Sequence, residues 1–406
     1  MIRSRRLVAS IVALALALSI TGFWLGWQGG PSCRACAQQS TGQFGIFWEA
    51  WDRLERLFWD SQGLDPQVIT YGALRGMLNS LGDPYSMFLE PAQQALDADR
   101  LKGEFEGIGV ELGLEQGRLV VASVYPGSPA DGAGIRLGDM VVSVDNTAAA
   151  GLAADEVQLL LRGPVGSAVQ IILQRDAEGL ITFEIERRRI QVPSLTWELL
   201  SPEIGYVHIR CFSDRTSQEL AQALRDLDES GTQALILDLR GNGGGVVDAA
   251  LGVLDQLLGK GIAYRELGTG GTEIRWSVPF NPEAVDWPLA VLVDAATASS
   301  AEIVAAAIQD DARGLLYGQK TFGKGSVQAI FPLDDGSSLH LTVAHWLSSD
   351  GGTIEGIGLL PDVVIDTEHG QEKELALQAA LNDLQSSLTQ PAKSWRSTRA
   401  PGYVNR

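Results

Sequence analysis

The sequence predicts a multidomain α/β protein with a helical N-terminal segment, a β-rich middle and an α/β core. Three observations lead there. At 406 residues, 45% hydrophobic and 20% charged, the chain exceeds one ordinary domain and can bury more than one core. Between about Gly103 and Arg189, short alternating runs are punctuated by Gly, Pro and Asp turns, the signature of a small β module. Beyond it, helical periodicity alternates with apolar runs such as Ala234-Leu-Ile-Leu-Asp238 and Leu289-Ala-Val-Leu-Val-Asp294, the signature of an α/β sheet.

The N-terminus reads as a targeting segment. Arg3, Arg5 and Arg6 precede Leu7 to Trp27, an apolar run long enough to span a bilayer with the arginines left in the cytoplasm. Residues 1–37 are therefore expected to be a signal peptide or membrane anchor, and the body to be exported to the periplasm or cell surface. Ala35-Cys36-Ala37 offers a small-x-small cleavage site, yet the run is longer than most signal cores, so both readings stand. The formal charge of −19 argues against a nucleic-acid or anionic-lipid surface, which needs clustered Lys and Arg. Three Cys and four His signal neither a disulfide framework nor a metal site, and no cofactor is expected. Cys33-x-x-Cys36 lacks a βαβ setting or a second ligand pair, and Cys211 reads as a buried strand thiol.

Residues 38–100 carry helical periodicity. Phe47, Trp51, Leu54 and Phe58 share one helix face and predict a core or dimer contact, and a second helix runs from Pro66 to Leu81 before Gly82-Asp-Pro84. In the β module, Gly107-Ile-Gly-Val110 leads into an alternating strand. Pro126-Gly-Ser-Pro129, the turn Arg136-Leu-Gly-Asp139, a strand over Met140 to Val144, a helix from about Asp155 to Leu161 and a strand over Val169 to Gln174 follow. This succession resembles a PDZ domain, here residues 101–190. The resemblance implies a loop of Ile108, Gly109 and Val110 whose backbone N–H groups receive a peptide's terminal carboxylate. The peptide would add as a strand in a groove lined by Val157 and Leu161.

A linker is expected near Val192 to Pro202, and the α/β core over 191–390. A helix over Thr216 to Glu229 precedes the strand Ala234 to Asp238, which runs into Leu239-Arg-Gly-Asn-Gly-Gly-Gly245. This loop lacks the last glycine of a dinucleotide fingerprint. Gly318-x-x-x-x-Gly323-Lys324 approaches a phosphate loop, but Gly325 stands where Ser or Thr should be, and Ser326 to Pro332 reads as strand where that motif needs a helix. Ser299 and Ser300 lie on a turn between strand and helix, where a hydroxyl can be exposed beside N–H groups that favour developing negative charge. No G-x-S-x-G elbow or H-E-x-x-H helix is present. His208, His340 and His345 fall in or beside strands and His369 in a polar loop, which leaves Lys324 as the available base for a serine nucleophile.

Taken together, Gly76-Met-Leu-x-Ser-Leu-Gly-Asp-Pro-Tyr85, Gly103-x-Phe-x-Gly-Ile-Gly109, Asp238-Leu-Arg-Gly-Asn-x-Gly-Gly245, Thr297 to Gln328 and Gly356-x-Gly-x-x-Pro-Asp362 resemble the carboxyl-terminal processing proteases, exported Ser/Lys peptidases with an inserted PDZ domain. The resemblance implies a crotonase/ClpP-like protease core. It makes Ser299 the nucleophile, with Ser300 a rival, Lys324 the base and Gln328 the residue that orients the lysine. Thr297 departs from the family's first serine, and Ser300-Ala301 reverses its usual Ala-Ser. For the oxyanion, backbone N–H groups of Ser300 and Gly244 are expected, with Gly245 an alternative. Arg162 matches a family arginine suspected of linking the PDZ domain to the active site. Protein or peptide substrates with exposed C-terminal tails are implied, as are a homo-oligomer through terminal helices and membrane attachment if the leader is retained. The nature of an activating adaptor stays open. The competing expectation is a non-catalytic PDZ scaffold on a protease-like fold. An amphipathic helix is expected from Gln371 to about Leu388, followed by a polar tail over 391–406 that is expected to be disordered.

Overall fold

The computed structural model describes residues 34–60, 63–175, 178–365 and 372–389. The apolar run Leu7 to Trp27, Cys33, His369 and the tail over 391–406 lie outside them. The described chain packs as two units divided at Gly72. It begins with helices α1 (Arg34–Leu57) and α2 (Pro66–Asn79). Phe47 and Leu54 on α1 and Phe58 just after it are exposed and Trp51 is half-buried, so among the described residues the stripe contributes no buried side chain. No described helix is long and apolar enough to cross a membrane.

The second unit continues with β1 (Met87–Leu89), α3 (Pro91–Lys102) and β2 (Glu104–Gly107). The β module follows as β3 (Val110–Glu115), β4 (Arg118–Val124), α4 (Pro129–Ala133), β5 (Met140–Val144), β6 (Thr147–Ala148), α5 (Ala154–Leu160), β7 (Ala168–Arg175), β8 (Gly179–Glu186) and β9 (Arg188–Gln191). Its sheet has the order β3-β4-β5-β7-β8, with β6 on β5, and β3 is an edge strand. β2 and β9 pair as a two-stranded ribbon where the chain enters and leaves the module. Inward residues of alternating strands, among them Val121, Val144, Ile171 and Leu173, meet Val157 and Leu161 in a separate core.

The core domain comprises β10 (Leu195–Ser201), β11 (Ile204–Ile209), α6 (Thr216–Glu229), β12 (Ala234–Asp238), α7 (Val247–Leu258), β13 (Gly261–Gly268), β14 (Glu273–Val278), β15 (Leu289–Val293), α8 (Ser300–Asp310), β16 (Gly314–Gly318), β17 (Ser326–Pro332), β18 (Ser338–Leu347), β19 (Val363–Val364) and α9 (Glu372–Thr389). One sheet has the order β10-β11-β12-β15-β16-β19, parallel from β11 onward. β12 and β15 are buried at every position, as strands covered on both faces must be. Helices α6, α7 and α8 contribute Leu220, Leu254 and Val304 to one face, and α9 lays Ala376, Ala380 and Leu384 on the other. A second sheet joins β1, β18, β13 and β14, with β17 on β18.

Two departures from the expected elements stand out. The linker expected near Val192 to Pro202 is largely strand: β10 pairs antiparallel with β11 at the edge of the large sheet, and its mostly exposed Thr-Trp-Glu-Leu stretch hid the pattern. The helical stretch up to Arg100 is broken by β1, whose three residues pair with Ser338, Leu339 and His340 of β18. Cys211 lies just beyond β11, half-buried, and burial raises its thiol pKa.

Candidate active site

β12 and β15 are parallel neighbours in register, Asp238 opposite Leu292. Their carboxyl ends therefore deliver two loops to the same crevice, where open α/β sheets place ligands. From β12 comes Leu239 to Gly245, and from β15 the turn Asp294 to Ser299. They are tied by Ala298 N–H to Asn242 O at 2.9 Å, Thr297 Oγ1 to Leu239 O at 2.9 Å and Gly241 N–H to Asp294 Oδ1 at 3.0 Å. Thr297, where the family pattern has serine, thus uses its hydroxyl as a fully buried tie.

Ser299 begins α8 with φ 56° and ψ −123°, a backbone state that costs a non-glycine residue on the order of 1–3 kcal/mol. The strain is held by the ties on either side, and it lifts the half-buried Ser299 onto the crevice wall. Gly244 packs directly over it. A Cβ on Gly244 would stand 2.8 Å from Ser299 Cβ and 3.1 Å from Ser300 N, so only glycine fits there. Ser300 is fully buried, and its Oγ has no hydrogen-bond partner among the described residues.

The third loop, Thr321 to Gly325, leads into β17 and carries Lys324. Gly323 and Gly325 lie against the backbone of residues 354–358, where Cβ atoms would come within 2.7 Å and 2.6 Å of Gly358 N and Glu355 N. Glu302, one turn into α8, joins this loop to the serine. Its carboxylate is fully buried and accepts from Thr321 Oγ1 at 2.5 Å, Gly323 N at 2.7 Å, Lys324 N at 2.9 Å and Ser299 N at 3.0 Å. Four donors fill the four lone-pair positions of the carboxylate, which satisfies a buried charge without a cationic partner.

Ser299, Lys324 and Gln328 line one cleft of about 220 Å³ together with Gly243, Gly245 and His340. Lys324 Nζ lies 4.9 Å from the centroid of the Tyr85 ring, and among the described residues no hydrogen bond joins it to Ser299. Tyr85 is set there by Asp83, which accepts from Tyr85 N and Ser86 Oγ, while Ser86 Oγ accepts from Thr342 N on β18. Burial lowers the lysine's pKa from its ordinary value and Arg100 adds to this, while Glu355 and Asp83 oppose it. Phe322, two residues before the lysine, is exposed. Gln328 Nε2 donates to Ser326 Oγ at 2.8 Å and Thr342 Oγ1 at 3.2 Å rather than to the lysine amine.

Of the expected oxyanion donors, Gly244 is engaged within its own loop. Its N–H is given to Asn242 Oδ1 at 2.8 Å, because the loop folds back on its own side chain, and is not free for a ligand. Gly245, the alternative, lines the cleft. The described residues contain no His, Cys, Asp and Glu group able to hold a metal ion.

Residues 203–365 match Peptidase family S41, and residues 120–175 match a PDZ domain. The Carboxy-terminal processing protease CtpA of Bacillus subtilis is 35% identical over 361 residues, which cover 88% of this chain and 75% of that protein. The chain belongs to the C-terminal processing serine protease family. The C-terminal processing peptidase, chloroplastic, of Tetradesmus obliquus is 33% identical over 338 residues, covering 79% of this chain and 73% of that one. Among solved structures, a photosystem II D1 C-terminal processing protease is 32% identical with a TM-score of 0.47, covering 80% of this chain and 93% of that chain.

Within the PDZ domain of this family member, Ile108, Val110, Val157 and Leu161 are all buried. Gly109 has φ 88° and lies so close to Ser128 that a Cβ would come within 2.2 Å of that residue's Cβ. Arg162, just after α5, stacks 3.2 Å from the Phe105 ring centroid and sits 3.8 Å from Asp99 of α3. Burial lowers its pKa, against the pull of Asp99. The same helix α3 presents Asp97 and Arg100 to the cleft.

Sequence reasoning missed Glu302 and Tyr85 as parts of the site and set His340 aside. The signal for Glu302 was present: Ser299-x-x-Glu302 has capping-box spacing, with an acidic residue three places into the helix. His340 lines the cleft and is held at 3.2 Å by Gln94 Oε1, and among the described residues no hydrogen bond joins it to Ser299.

Proposed function

We propose that this protein is an exported serine endopeptidase that recognises protein C-terminal tails through its PDZ domain and cleaves peptide bonds with a Ser299/Lys324 dyad. One observation carries the reading: the Glu302 carboxylate accepts from the backbone N–H of both Ser299 and Lys324, so nucleophile and base are bound to one buried anchor on a shared cleft.

The chemistry follows from the groups present. A serine hydroxyl attacks well only when a base takes its proton, and an ordinary lysine is protonated near neutral pH. Burial of Lys324 favours the neutral amine. Its Nζ leaves the Tyr85 ring, comes within hydrogen-bond reach of Ser299 Oγ and accepts the proton as Oγ bonds to the substrate carbonyl carbon. Gln328 turns to orient the amine. The carbonyl oxygen becomes an oxyanion that receives N–H groups of Ser300 and, from the facing loop, Gly245, or Gly244 once released from Asn242. Collapse breaks the C–N bond, and the Lys324 ammonium returns a proton to the departing amine. Water then gives a proton to Lys324 as its oxygen bonds to the acyl carbon, the C–Oγ bond breaks, and the Lys324 ammonium returns a proton to Ser299 Oγ, restoring the neutral amine.

The core over 191–390 is read as crotonase/ClpP-like, with the PDZ domain over 101–190 inserted ahead of it and residues 1–37 as leader or anchor. The enzyme acts outside the cytoplasm, attached to the membrane if the leader is retained, and self-associates through terminal helices. Arg162 passes PDZ position to the site through Asp99 on α3, the helix that also lines the cleft. The test is hydrolysis of an unstructured protein substrate by purified protein. Wild type should cut and Ser299→Ala should not. Full cutting by Ser299→Ala would refute the dyad, and no cutting by wild type on any C-terminal tail would favour the scaffold.

A further inference from the structure

Among the described residues no strand pairs with the outer edge of β3 in the PDZ domain, as tail binding by strand addition requires. The edge is nevertheless not open. Gln158, on α5, reaches across the groove: its Nε2 donates to Val110 O at 2.8 Å, and its Oε1 accepts from Leu112 N at 2.9 Å. Gln158 is 9% exposed, so these bonds are largely shielded from water. Val110 O and Leu112 N are main-chain groups of the edge that an added strand would pair with. Beneath the bridge, Val157 of α5 and Leu161 just after it are buried in one apolar cluster with Ile108 and Val110, so the side chains expected to line the groove are already packed.

We infer that Gln158 is a tethered competitor for the peptide groove: its carboxamide takes the place of a peptide amide on β3, and a C-terminal tail binds only by displacing it. This rests on the tail-binding reading above and adds the residue that sets its threshold. Each incoming tail exchanges two existing hydrogen bonds for its own rather than gaining two. Tails that offer only main-chain pairing therefore bind weakly, and an apolar terminal residue able to part α5 from β3 is what selects a ligand. Removing the carboxamide raises the energy of the empty groove and leaves the filled one unchanged.

The test uses the full chain carrying Ser299→Ala to prevent turnover, and a fluorescein-labelled decapeptide ending in a free Val carboxylate, with its C-terminal amide as control. Binding is read by anisotropy for Gln158, Gln158→Ala and Gln158→Met, the last keeping side-chain length and apolar packing. Loss of two neutral hydrogen bonds from the free state should tighten binding about tenfold in both variants. Independently, the Leu112 amide should exchange slowly with deuterium in the unliganded parent and faster in both variants. Equal or weaker peptide binding by the variants, with binding by the parent, would overturn the inference, as would unchanged Leu112 exchange. No binding of the free-carboxylate peptide to any form, with Leu112 exchange accelerated as expected, would instead overturn the tail-binding reading and leave Gln158 as the seal of an unused edge.

Discussion

Replacing Glu302 by Gln puts one NH₂ group where a carboxylate oxygen accepted two donors. At the Oε2 end both donors are backbone N–H groups, of Ser299 and Lys324, and neither can reverse. At the Oε1 end one donor is the Thr321 hydroxyl, which can turn and accept instead. The new amide nitrogen should therefore settle at the Oε1 end and leave a single unmet donor, Gly323 N–H. A buried donor without a partner costs about 1–3 kcal/mol, and the loss of charge weakens the bonds that remain. The expected cost is about 3 kcal/mol in a urea-unfolding experiment. Glu302→Ala, which abandons all four donors, should cost more. Because Gly323 precedes Lys324, the unmet amide also displaces Lys324, and for the proposed base a misplacement of about 1 Å is worth about a hundredfold in rate. In a peptide-hydrolysis assay kcat should fall far more than KM rises. Stability within about 0.5 kcal/mol of wild type together with unchanged kcat/KM would refute the claim that this carboxylate holds nucleophile and base together.

Other consequences can be checked in the same assays. Lys324→Ala should abolish hydrolysis and leave the folded state intact by circular dichroism. Ser300→Ala should keep activity and be neutral or stabilising by up to about 1 kcal/mol, since it removes a buried hydroxyl that has no partner; inactivation would favour Ser300 as nucleophile. Gly244→Ala should lose activity, because its Cβ would press within 2.8 Å of Ser299 Cβ at a φ of 98°. The pH–rate profile should rise on a limb set by Lys324. Its lowered pKa means the neutral amine appears at lower pH than for an ordinary lysine, so activity increases as pH rises through that value. In Tyr85→Leu the limb should move, because the ring that faces the ammonium is gone.

Much of the fold was legible because the relevant signals are local. The boundaries of β12, β17 and α6 follow from apolar periodicity and turn residues, and the structure reproduces them residue for residue. β10 was not legible because an edge strand with exposed residues lacks clean alternation, and β1 was not because three residues carry no period. The site divides in the same way. Residue chemistry left Ser299 and Ser300 both open beside Lys324, and the family resemblance chose Ser299; the fold brings Ser299 and Lys324 to one cleft. Glu302 looked like an ordinary helix cap. Its bonds to Thr321, Gly323 and Lys324 span some twenty positions and exist only because β15 and β16 are parallel neighbours. Asn242 presents the opposite case: a local bond to Gly244 N, two residues on, withdraws a donor that the glycine pattern alone seemed to offer. The closed β3 edge was equally invisible, since Gln158 meets Val110 and Leu112 across more than forty residues.

The central claim, that Ser299 is a nucleophile activated by Lys324, is tested most directly by locating the adduct of a serine-reactive fluorophosphonate by peptide mass spectrometry. A single adduct on Ser299 in wild type, lost in folded Lys324→Ala, is the predicted result. An adduct on Ser300, or undiminished labelling of Ser299 without Lys324, would contradict it.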